Sequence, residues 1–273
     1  MKKGLFTPVL ALLLGLAGCI SSDMKISSFE QMGGKTIGMV AIGGRPEKAA
    51  SLVHRYIDAE PGKIVEYNRR SDAIMAVLSG KADAILCPSF VAEYYAKRND
   101  KLSLVAPKVK VNYKVIMVVR KEDEPFRNEL NQVIGTLREN GRLEAIESEW
   151  ITNLPLTGEP ANIGLVNSVG ARTIRVGVSG DFPPLDYMAT DGRPAGFNVA
   201  LMSEIGTQLD IKFEFISVES SARFTALASG KIDLIFFHFK IDEEPDLYDT
   251  SEEKWAMTNP YFEYLGAYFL VKK

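Results

Sequence analysis

Two stretches far apart in the chain are near copies of one another: Ala76-Val-Leu-Ser-Gly-Lys-Ala-Asp-Ala-Ile85 and Ala226-Leu-Ala-Ser-Gly-Lys-Ile-Asp-Leu-Ile235. Each reads as the last turn of a helix, a glycine just beyond the helix end, and a short apolar strand. Glycine suits that position because it adopts the left-handed backbone that ends a helix without steric cost. Such a joint folds a helix back against a sheet, the basic step of an α/β fold. Its duplication predicts two similar α/β lobes.

The hydrophobic pattern around the copies agrees. Strands are expected at 36–42, 64–67, 82–86, 102–105 and 113–119, with helices at 47–57, 72–78, 89–97, 125–139 and 143–150. Residues 152–170 carry two prolines and glycine among polar residues and no sustained periodicity, so they read as a linker. Beyond it the rhythm restarts, with strands at 174–178, 212–216, 232–237 and 265–271 and helices at 199–209 and 223–228. An acidic loop follows the third of these strands.

With 46% hydrophobic residues in 273, the chain can build one or two full cores. A net charge of -3, with both signs interspersed, gives no field that would draw it to nucleic acid. The two cysteines and two histidines form no cluster with metal-ligand spacing, so neither a metal nor a cofactor is expected. Cys87, inside an apolar run, reads as a buried, inert thiol.

The N-terminus begins Met1-Lys2-Lys3, continues with an apolar run from Leu5 to Ala17, and reaches Gly18-Cys19. A basic start and a short apolar run mark an export signal, and this run is too short to span a bilayer of roughly 30 Å. Leu16-Ala17-Gly18-Cys19 resembles a bacterial lipobox. It predicts a signal segment 1–19 and lipidation of Cys19, holding the protein at the cell envelope.

Ile174-Arg-Val-Gly-Val-Ser-Gly-Asp-Phe-Pro-Pro-Leu-Asp-Tyr187, Asp191-Gly-Arg-Pro-Ala-Gly-Phe-Asn-Val-Ala-Leu201, Asn259-Pro-Tyr-Phe262 and Ser28-Phe-Glu-Gln-Met-Gly-Gly-Lys-Thr-Ile-Gly38 together resemble the solute-binding proteins of amino-acid-type ABC importers, the bacterial extracellular solute-binding proteins of family 3. The resemblance implies a two-lobed, periplasmic-binding-protein-like (type II) α/β fold with a hinge. It also implies a small polar ligand, an amino acid or related organic anion, and an ABC permease as partner. The order of the parts is rotated: 24–106 is similar to the family's second lobe, 107–152 to its return strand and closing helices, and 171–273 to its first lobe, with 153–170 joining them. A circular permutation in a monomer and halves exchanged in a swapped dimer are both compatible with this order.

The resemblance also implies a site. Phe182 stands where the family packs an aromatic ring on its ligand, with Ser179 on the same loop, although burial in the core is the other common fate of such a ring. Gly43, Gly44 and Arg45 stand where a ligand carboxylate meets a helix N-terminus. Pro88 replaces the acidic residue that receives an α-amino group, and the family's clamping arginine has no counterpart. His238 and Lys240 stand where the family presents small or hydroxyl groups. If their strand continues, alternation puts both on one face, opposite Phe237 and Phe239. Lys240 is then either an anion partner or a solvated lysine paired with Asp242, Glu243 or Glu244. Two other uses of the scaffold stay open, a dehydratase-like enzyme with an acidic general acid and a solute sensor.

Overall fold

The computed structural model describes residues 25–41, 46–158, 160–167, 170–241 and 253–273, without the side chains of 46–49. The signal segment with Cys19, the turn Gly43-Gly44-Arg45 and the acidic loop with Asp242, Glu243 and Glu244 lie outside the described residues.

One sheet is built from β1 (Thr36–Val40), β2 (Lys63–Tyr67), β3 (Ala84–Pro88) and β4 (Leu102–Val105), interleaved with helices α1 (Pro46–Tyr56), α2 (Arg70–Leu78) and α3 (Ser89–Arg98). β1 pairs in parallel with β2 and β3. The chain then crosses to a second sheet through β5 (Asn112–Arg120), and α4 (Glu124–Glu139) and α5 (Arg142–Glu147) follow. The described residues of 153–170 hold no helix or strand.

The second sheet is completed by β6 (Arg172–Val178), β10 (Ile211–Ser217), β11 (Leu234–Lys240) and β12 (Trp255–Met257), in the order β10-β6-β11-β5-β12. Between β6 and β10 lie the short strands β7 (Asp181–Phe182), β8 (Asp186–Met188) and β9 (Pro194–Ala195) and the helix α6 (Phe197–Leu209). α7 (Arg223–Ala228) precedes β11. β13 (Phe262–Leu265) pairs with β5, and β14 (Ala267–Lys272) returns to the first sheet, antiparallel between β3 and β4.

That return corrects the expectation that 171–273 makes up one lobe. The last strand is apolar enough to lie in either sheet, and Gly266, at φ 77°, turns the chain out of one and into the other. Its N–H donates to the Val111 carbonyl at 2.7 Å, so the two crossing segments lie side by side. Two adjacent crossings between two sheets form a hinge.

The duplicated motif has one physical cause in both lobes. Gly80 and Gly230 have φ of 76° and 70°, and the N–H groups of Lys81 and Lys231 donate back to Ala76 and Ala226 at 2.8 and 2.9 Å. The aspartate two residues further on then accepts from the neighbouring strand: Asp83 from the Thr36 N–H at 2.7 Å, Asp233 from the Arg175 N–H at 3.0 Å. Each motif thus ends a helix and pins the strand beside it.

Candidate functional site

The face where the lobes meet is built by α2 and the end of β1 on one side and by β7, the start of α7 and the second half of β11 on the other. A cavity of about 60 Å³ lies there, lined by Arg70, Ser179, Asp181, Phe182, Arg223 and His238 among others. A second cavity, also about 60 Å³, adjoins it and shares Val40, Arg70, Phe182, Phe237 and Phe239. A water-sized group needs roughly 10–15 Å³ measured this way, so each cavity has room for a few such groups. The lobes are closed over a small space.

Arg70 is the first residue of α2, and its aliphatic stem continues the buried stripe of Ala73, Ile74 and Val77. Its guanidinium carbon sits 3.6 Å from the centre of the Phe182 ring, across the interface. Arg223 opens α7 in the same way, on a buried stripe with Ala226 and Leu227. It donates from Nη1 to the Phe237 carbonyl at 3.2 Å. Both side chains are more than nine-tenths buried, and the Nε of each has no hydrogen-bond partner among the described residues. Burial lowers the pKa of both, yet a guanidinium still holds its proton at any ordinary pH.

Carboxylates surround this pair. The Ser71 N–H and hydroxyl both donate to Asp181 Oδ2 at 3.2 Å, and Arg69 Nε lies 3.7 Å from it, joining the two lobes. A second link runs from the Ser221 hydroxyl to Asn68 Oδ1 at 3.3 Å. Asp186, behind the cavity, accepts from Asn198 Nδ2 at 2.9 Å, while its Oδ1 has no partner among the described residues. Burial pushes its carboxyl up to about 6, against the pull of Arg223 and Asn198. Burial, with Arg223 nearby, depresses the His238 imidazole to about 3. His238 is therefore neutral at pH 7.

The structure brings Ser179, Phe182 and His238 to the polar cavity and Pro88 to the adjoining one. Phe182 is both buried and in the cleft, with one face under Arg70 and Phe237 edge-on at 4.6 Å. Lys240 is exposed and lines neither cavity, which corrects its expected place in the cleft. Pairing with β5 is regular from His238 to Lys240, so the two share a face as alternation requires, but Lys240 is the last residue of β11 and lies past the cavity. Cys87 is buried, and burial pushes its thiol up to about 12, so it is no thiolate nucleophile. Among the described residues no group of three or more His, Cys, Asp or Glu is placed to hold a metal.

Arg70, Arg223, Asp181 and Asp186 were not anticipated from the sequence. A signal for the arginines existed, because each continues the apolar i, i+3, i+4 stripe of its helix, where a charge is costly to bury.

Two sheets with parallel strands at their centres, joined by two adjacent crossings over a buried cleft, define the two-lobed, periplasmic-binding-protein-like α/β class. Residues 174–273 match the bacterial extracellular solute-binding proteins, family 3. It is 29% identical over 131 residues to the arginine-binding extracellular protein ArtP of Bacillus subtilis, which is 48% of this chain and 50% of that one. It is 28% identical over 114 residues to the L-cystine-binding protein TcyJ of Escherichia coli, covering 41% and 40%. The matched stretches span about half or less of these relatives. Among solved structures, the ligand-binding component of an ABC-type import system from Staphylococcus aureus aligns with a TM-score of 0.44 at 11% identity, covering 90% of this chain and 66% of the other.

Proposed function

We propose that this protein is an exported, lipid-anchored solute-binding protein that closes its lobes on a small anionic solute and delivers it to an ABC importer. One observation carries the ligand charge: two buried arginines from opposite lobes converge on the cleft, each with an Nε that has no partner among the described residues. A buried cation without a full set of partners is costly, typically several kcal/mol, and an anion between the two would offset that cost in the closed form only. Closure on the ligand would then be a shift of population toward the form that a permease recognises. Among the described residues no acidic residue lines the cavity beside Pro88, which supports a ligand other than a zwitterion held by its ammonium group.

The rotated order of the lobes is read as a circular permutation in a single chain, with 153–170 bridging the ancestral ends. The anchor is read from Cys19 at the end of a short apolar run; among the described residues no helix is long and apolar enough to cross a membrane. The test is thermal denaturation with a panel of carboxylates, sulfonates, amino acids and polyamines. Ligands that bind only the folded state raise its melting temperature by mass action. Stabilisation by anions is expected. Stabilisation by polyamines alone would refute the ligand charge.

A further inference from the structure

From the division of the cleft into two unlike halves we infer that the ligand is a monoanion with an apolar body, a carboxylate carrying an aromatic or branched aliphatic group and no ammonium. This rests on the anion-binding reading above and narrows it.

The first half of the cleft is polar and holds Arg223, Ser179 and His238. The second half is lined by Met39, Leu52, Leu86, Tyr113 and Tyr264, and Phe237 and Phe239 belong to both. Tyr113 and Tyr264 stack at 4.9 Å, and the Tyr113 hydroxyl is already engaged with that of Tyr56. Phe239 meets Tyr113 edge-on at 5.4 Å. These rings form a preset apolar wall, which gives binding area at little cost in conformational freedom. Among the described residues no Asp or Glu lines this half, and the one charge there is Arg70, at the boundary. An ammonium placed in it would find no carboxylate among the described residues and would meet the charge of Arg70. In the polar half Asp181 is already committed to Ser71 and Arg69.

A ligand lying across the boundary would put its carboxylate between Arg70 and Arg223 and its body against Phe239 and Tyr113. Each buried methylene then tightens binding by about fourfold.

Titration calorimetry of the signal-free chain with acetate, 3-methylbutanoate and phenylacetate tests the body at a constant head group. 2-Phenylethylammonium and L-phenylalanine test the head group at a constant body. Affinity rising at least about tenfold from acetate to phenylacetate, with both amines rejected, is the expected result. Phe239→Ala should weaken phenylacetate about tenfold and acetate much less; if that variant does not fold, the ligand series on the native chain decides alone. Equal binding of acetate and phenylacetate would overturn the apolar body and leave anion binding standing. L-phenylalanine bound as tightly as phenylacetate would overturn the exclusion of an ammonium. Binding of 2-phenylethylammonium in place of the carboxylates, or of none of the five, would overturn the anion reading and this inference with it.

Discussion

The guanidinium of Arg70 lies over the face of the Phe182 ring at 3.6 Å, and the two residues belong to opposite lobes. A desolvated cation on an aromatic face is worth up to about 2 kcal/mol. That is less than the cost of burying a guanidinium whose Nε has no hydrogen-bond acceptor among the described residues. The closed form therefore holds a charge that its own side chains compensate only in part.

Replacing Arg70 separates stability from binding. Arg70→Met keeps an apolar stem of similar length and removes the charge. The melting temperature without ligand should stay level or rise, since swapping an under-compensated buried ion for an apolar side chain is often neutral or stabilising by about 1–4 kcal/mol. Affinity for the anionic ligand should fall by about ten- to hundredfold, the loss of one charge-assisted contact. Scanning calorimetry with and without ligand checks both. A melting temperature that falls sharply while affinity is retained would show that Arg70 serves the fold and not the site.

Asp181 holds the lobes together through Ser71 and Arg69. The Ser71 contacts sit at the N-terminus of α2, where the helix dipole favours a carboxylate. Asp181→Asn keeps the size and loses the charge. Because Arg69 is exposed, the loss should be about 1 kcal/mol, or about fivefold in the ratio of closed to open forms. Small-angle scattering of the ligand-free variant should show a larger radius of gyration than the native chain, and saturating ligand should remove the difference. Identical profiles without ligand would show that this contact does not hold the lobes closed.

The parts of the fold set by local chemistry were legible. The copied Ser-Gly-Lys-x-Asp joints of α2–β3 and α7–β11 could be read directly, because a helix end and the strand after it depend on neighbours in sequence. β14 reads as a strand in the sequence but falls there with the wrong lobe, since its partners Leu86 and Leu104 are distant in the chain. Loop position is enough to place Ser179 and Phe182 at the cavity. Alternation gives the face of Lys240 but not its depth, and Lys240 ends β11 beyond the cavity. Arg70 and Arg223 escaped notice because an arginine at the first turn of a short helix ordinarily reads as solvated. Arg70 is covered by Phe182 of the opposite lobe, and Arg223 is buried beside Phe237 of its own lobe.

The two copied aspartates should differ in worth although they hold equivalent strands. Asp83 is bonded to the Thr36 N–H at the protein surface. Asp233 accepts from the backbone and side chain of Arg175 and from Arg120 Nη2 at 3.1 Å. Asp233→Ala should cost about 2 kcal/mol, as it removes a half-buried carboxylate that Arg175 and Arg120 share, although Arg120 keeps Asp123, and Asp83→Ala about 1 kcal/mol. Urea unfolding of the two variants checks the order. Equal costs would mean that the arginines of the second copy contribute nothing beyond the shared backbone contact.

Asp186 and His238 should give the protein two opposed acid responses. The Asp186 carboxyl titrates at about 6 when folded, against an ordinary 3.8. As pH falls through that window the folded state takes up a proton that the unfolded chain does not, so stability rises, by about 3 kcal/mol in all. The His238 imidazole titrates at about 3 when folded, against an ordinary 6.5. As pH falls below 6.5 the unfolded chain takes up the proton first, and stability is lost, by about 5 kcal/mol once pH reaches 3. Between about pH 6 and 4 the two contributions nearly cancel, and Arg223 faces both groups. Asp186→Asn should therefore lose stability on acidification from pH 6 to 4 relative to the native chain, and His238→Gln should gain it over the same range. Urea midpoints measured at pH 4, 5, 6 and 7 for the three proteins check this, because the difference between variant and native chain cancels every other titrating group. Variant curves parallel to the native one would show that neither group is held from water as the closed cleft requires.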